Sequence, residues 1–131
     1  MITAFESLEG RSLEWTGTHH SEGGDFKDIS THIVTYETAD QCYVTAGGKL
    51  VGEAKYCYKR LDSRMSILIY HPRLYQGRSD VVLYATLDFE SERDRAVILA
   101  GGKPFAVADG TFREVKTPMK PSTNRGVDSR G

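Results

Sequence analysis

The stretch from Val51 to Phe89, VGEAKYCYKRLDSRMSILIYHPRLYQGRSDVVLYATLDF, decides how this chain folds. It holds three apolar runs, Ala54 to Tyr58, Met65 to Tyr70 and Val81 to Phe89. Their Tyr, Val, Ile and Leu residues suit a pleated surface. Gly, Pro, Asp and Ser bound each run and punctuate loops. The pattern reads as a β-meander. Alternation is clearest in the first run, with Ala54, Tyr56 and Tyr58 on one face and Lys55, Cys57 and Lys59 on the other. That turns the tyrosines inward and the lysines toward water.

Working outward, the same pattern recurs. RSLEWTGTH, from Arg11, sets Leu13 and Trp15 on one face. HIVTYET sets Val34 and Tyr36 opposite Ile33 and Thr35, and QCYVTA leads to a hairpin turn at Gly47-Gly48. His71-Pro72 ends the fifth strand, since Pro cannot donate to a ladder. The sixth strand, from Val81, is apolar on both faces at its start, so something should cover it or the chain should curl there. Glu92 to Arg95 reads as a charged turn before AVILAG. Asp109-Gly110 reads as a hairpin between FAVA and TFREV. Ser21 to Asp28 is a loop by composition. Ile2, Phe5 and Leu8 lie at helical spacing, which suits a short helical plug or a frayed terminus.

About eight strands with short links and no long helical crossover predict an all-β fold. Sequential antiparallel strands leave two exposed edges unless the sheet closes. The predicted architecture is therefore an up-and-down, lipocalin-like barrel with room for one small ligand. A two-sheet sandwich is the second choice.

The chain has 131 residues, enough for one core, with 17 basic and 18 acidic side chains. That balance gives no long-range attraction to nucleic acid or an anionic membrane. No apolar run approaches the roughly 20 residues that span a bilayer. The start, MITAFESLEGRS, lacks a basic n-region and an apolar h-region, so the expected location is cytoplasmic. Cys42 and Cys57 are too few for a disulfide scaffold and read as packing residues. From Thr117 the composition turns to Pro and small polar residues, which cannot offset their ordering entropy. The expected organisation is one barrel over residues 1–116 and a flexible tail over 117–131.

The runs YCYKRLDSRMSILIYHP and VVLYATLDFESERDRAVILAGGKPFAVADG resemble the lipocalin-like domain of the MoaF family, named for molybdenum cofactor biosynthesis. The similar features are the Tyr-x-Tyr strand, the apolar strand ending near Pro72 and the Leu-Asp-Phe strand before a turn, over roughly Lys55 to Gly110. The resemblance implies a calycin-type barrel. It implies no catalytic signature and no molybdenum role. A weaker similarity, to the phenolic acid decarboxylases, rests on GRSLEWTGTHH and on Tyr56, Tyr58 and Glu53.

Tyr36, Tyr56 and Tyr58, with Trp15 and His71, are the candidate ligand-binding residues. Phenols inside a barrel give apolar walls with a few hydrogen-bonding tips, which suits an apolar or aromatic ligand; core tyrosines would show the same pattern. An acid–base enzyme using Tyr56, Tyr58, Glu53 or His71 is the rival reading. His19, His20, His32 and His71 have no metal-ligand spacing and read as solvated loop residues, so no metal or cofactor is expected. Alternation sets Asp88 with Tyr84 and Thr86, on the outward face. The two-sided apolar start of the sixth strand also suits pairing into a homodimer.

Overall fold

A computed structural model describes residues 3–21, 29–75 and 77–121. Among them are eight strands and no helix: β1 (Arg11–Ser21), β2 (Ser30–Tyr36), β3 (Gln41–Ala46), β4 (Lys49–Arg60), β5 (Met65–Pro72), β6 (Val81–Asp88), β7 (Arg93–Ala100) and β8 (Lys103–Val115). Each pairs antiparallel with the next, and β8 returns to β1, so the sheet closes into a barrel. Closure removes both edges, which is how the open-sheet problem is resolved.

The register on β4 follows its alternation. Tyr56 is buried and Tyr58 packs against the core, while Lys55, Cys57 and Lys59 are exposed. Gly47-Gly48 and Gly101-Gly102 all have positive φ, the conformation that two-residue hairpins need.

Two local expectations are corrected. Asp109-Gly110 is not a hairpin but lies inside the 13-residue β8, facing Gly17 of β1 across the ladder. The glycine is there because the Trp15 indole lies on it: a Cβ on Gly110 would sit 2.7 Å from Trp15 Nε1 and 2.4 Å from the Thr16 carbonyl oxygen. Glu92 to Arg95 is not wholly a turn either. Only Glu92 turns, with φ of 60°, and Arg93 already begins β7. The charges hid an alternation in which Arg93 and Arg95 face water and Asp94 faces inward.

The N-terminal segment closes one end of the barrel without forming a helix. Ala4 and Leu8 are buried, Ala4 N–H donates to Ser63 O at 2.8 Å, and Phe5 meets Phe89 edge-on at 5.0 Å. So short a segment cannot repay helix nucleation, and its apolar spacing is met by lying over the barrel mouth instead.

Beyond β8, the segment 117–121 runs against the outer face of β1 to β3. Ser12 and Thr35 face outward yet are buried, sharing a hydrogen bond of 2.8 Å, and Ser12 also donates to Thr117 at 2.9 Å. Lys120 pairs with Glu37 at 3.2 Å and lies over the Tyr43 ring. The rest of the expected tail, 122–131, and most of the expected Ser21 to Asp28 loop, 22–28, lie outside the described residues.

Candidate functional site

With one end plugged, the interior opens at the other. Around the open end stand the β3–β4 turn, the end of β5 and the segment leading to β6. A cavity of about 460 Å³ reaches from there into the barrel. Its origin lies in small residues. Ala85 on β6, Ala96 on β7 and Ala108 on β8 pair in one cross-strand row, and all three line the cavity. On the opposite wall stand Leu13, Val34 and Val44, so most of the surface is apolar. Three methyl groups in a row cannot reach the far wall, so a void remains where larger side chains would have filled a core.

The five candidate ligand-binding residues separate in space. Trp15 and Tyr36 line the cavity. Tyr56 packs edge-on against Tyr36 at 4.9 Å and donates its hydroxyl to Thr38 O, behind the cavity wall. Tyr58 stands at the plugged end, donating to Phe5 O at 2.5 Å beside Ser66 Oγ at 2.8 Å. His71 faces solvent on β5. Glu53 lies at the cavity rim, 3.7 Å from Arg73.

The cavity also holds polar groups that the sequence reading passed over. Asp94 points in from β7, next to the alanine row, and no described side chain bonds to it. Burial pushes its carboxyl up to about 7. The Tyr36 and Tyr70 hydroxyls bond to each other, and burial raises both well above the ordinary phenol range. Asp94 raises them further, which sets its charge in the same electrostatic neighbourhood.

His19 and His32 are strand residues rather than loop residues, and both line the cavity. The His32 ring stacks on Trp15 at 5.0 Å, and burial lowers its pKa to about 4. Burial likewise lowers His19, helped by the adjacent His20. His20 points away, bonded to Thr18. Both cavity imidazoles are thus neutral near pH 7. Among the described residues no group of three or more potential ligands could hold a metal.

Two further residues lie off the site. Asp88 faces outward and is clamped by the Arg64 guanidinium at 2.9 and 2.7 Å, which holds its carboxyl below the usual range. Cys42 is buried and pairs in the ladder with Ala54, whereas Cys57 faces outward, so the two do not meet.

Signals for the missed residues were present. Extending the β7 alternation back through Ala96 reaches Asp94, and extending that of β2 back through Val34 reaches His32. Tyr70 shares the inward face of β5 with Leu68.

No protein-family model matches the chain, and no curated protein is significantly similar to it. Among solved structures, the crystal structure of a "putative beta-lactamase" from Burkholderia vietnamiensis is similar, with a TM-score of 0.56 and 17% identity. The match covers 86% of this chain and 100% of that one. At this identity the likeness is one of fold: this chain is an eight-stranded, closed, antiparallel barrel of a kind already seen in a crystal.

Proposed function

We propose that this chain is a lipocalin-like barrel of the MoaF-like type that binds a small apolar or aromatic molecule. The observation that carries this reading is the cavity of about 460 Å³, apolar over most of its wall and open at one end. Aromatic rings with a few inward polar groups are the usual make-up of a small-molecule site. A cytoplasmic location belongs to the same reading and is supported by two unbridged cysteines. The name of the similar crystal structure is not carried over, because no serine here stands three residues before a lysine as in the Ser-x-x-Lys motif.

Trp15 is the only tryptophan and lines the cavity, so it reports on occupancy. Titration with N-phenylnaphthylamine, neutral and apolar, should quench Trp15 emission saturably at one probe per chain. Ala96→Phe should abolish that signal by filling the void while leaving the barrel folded. A linear, non-saturating response would remove the proposal.

A second reading, acid–base catalysis in the cavity, is favoured by Asp94. A carboxyl titrating near 7 beside tyrosine hydroxyls is suited to moving a proton at neutral pH. Homodimerisation is supported by an outward apolar row across four strands, Ile69, Tyr84, Val97 and Val107. Light scattering that finds a monomer at high concentration would exclude the dimer.

A further inference from the structure

The cavity contains one feature that an apolar ligand alone leaves unexplained. Asp94 sits at its inner end, flanked on β6 and β8 by Leu87 and Gly110, with no described hydrogen bond or ion pair to its side chain. A buried carboxylate without a partner is costly, and folded proteins normally pair such a group. Among the described residues the cavity wall supplies no cation: no Lys or Arg lines it, and its other acid, Glu53, faces Arg73 at the rim. Its two histidines are neutral near pH 7, for the reason given above. The Tyr36 and Tyr70 hydroxyls, which feel the charge of Asp94, bond to one another.

Aromatic rings share the cavity lining with aliphatic side chains. Trp15, Tyr36, Tyr70, Tyr75 and Phe112 all line the cavity. Ring faces attract cations, and the attraction grows when water is excluded. A carboxylate at the inner end and aromatic faces along the sides both favour positive charge, and both disfavour an anion. From this arrangement we infer that the ligand is a small organic cation, a protonated amine or basic heterocycle with an apolar body, whose charged nitrogen pairs with Asp94. The inference rests on the binding function proposed above and names the chemical class that the site takes. Ionising Asp94 costs free energy in the empty cavity, and the incoming cation offsets that cost. The apolar body then lies against the row of Ala85, Ala96 and Ala108.

Three probes of one shape and different charge separate this inference from the cavity reading: phenethylamine, phenethyl alcohol and phenylacetate. Calorimetric titration near pH 8, where Asp94 is ionised, should rank them amine, alcohol, acid. The amine should bind at least about tenfold more tightly than the alcohol, the scale of one hydrogen bond to a charged group. Asp94→Asn should remove that preference, so that the amine binds no more tightly than the alcohol. The ranking of the native protein is itself a test, whatever the variant does. If the alcohol binds as tightly as the amine, or the acid most tightly, the cation inference is overturned and the cavity reading stands. If Asp94→Asn keeps the preference for the amine, Asp94 is not its partner and the inference is likewise overturned. If none of the three binds and N-phenylnaphthylamine also fails, both readings fall together.

Discussion

The two ends of this barrel are built from similar residues and arrive at opposite states. At the plugged end, tyrosines are completed. Tyr58 donates to the Phe5 carbonyl and lies beside Ser66, and Tyr56 donates to the Thr38 carbonyl. Phe5, Phe89 and Phe112 interlock edge-on behind them. In the cavity that opens at the other end, a carboxylate faces a void floored by three alanines, and no described side chain bonds to it. Polarity alone does not distinguish a core from a site. What distinguishes them is whether each polar group has found its partner within the chain. Packing that satisfies every group gives rigidity, and packing that leaves a group unsatisfied beside a void leaves room for a ligand.

The largest effect expected from breaking the plugged end is Phe89→Ala. Its ring is buried between Phe5 and Phe112, so truncation should cost about 3–5 kcal/mol in denaturant unfolding. An effect below about 1 kcal/mol would show that the plug is not part of the core.

The cavity should respond with the other sign. Asp94→Asn removes a carboxyl that is about 7 when folded and near 3.8 when free, so it should stabilise the barrel by about 2–4 kcal/mol at pH 8. Between those values the folded state holds more protons than the unfolded one. The contribution of Asp94 to stability therefore falls as pH rises from about 4 to about 7. His32, lowered to about 4 from 6.5, works the opposite way: its contribution falls as pH drops through that window. The two offset each other in the native chain. In Asp94→Asn, stability should rise clearly with pH between about 4 and 6.5, and a flat profile would count against the burial of His32.

Gly110→Ala tests how the cavity wall at Trp15 is shaped. The new Cβ would meet both the Thr16 carbonyl and the Trp15 indole, so overpacking should cost about 1–3 kcal/mol. Trp15 emission should shift as its ring is displaced, and an unchanged spectrum would mean the indole is not held by this contact. The smallest effect expected is Tyr58→Phe. It keeps the ring and leaves the Phe5 carbonyl and Ser66 without the hydroxyl, costing about 1 kcal/mol with no change in ligand affinity. A loss of affinity would place Tyr58 in the functional half of the barrel.

Much of this molecule was legible in order of residues alone. Period-two alternation determined the strands, the inward face of β4 and the outward position of Asp88, because a pleat assigns neighbouring side chains to opposite faces whatever the rest of the chain does. The Gly47-Gly48 pair marked its hairpin because two-residue turns of that type need positive φ at both positions. The same local rule misled at Asp109-Gly110, where the glycine answers to Trp15 on another strand, nearly a hundred positions away in the chain. It misled again at Arg93 to Arg95, where charge looked like a turn. Only closure of the barrel decided which tyrosines are completed and which polar groups are not. It brought Asp94, His32 and the Tyr36–Tyr70 pair to one cavity from β7, β2 and β5, and aligned Ala85, Ala96 and Ala108 into a single row. Alternation sorts residues in or out. It carries no information on what stands opposite them across the barrel, and that opposition makes the void, isolates the carboxylate and creates the site.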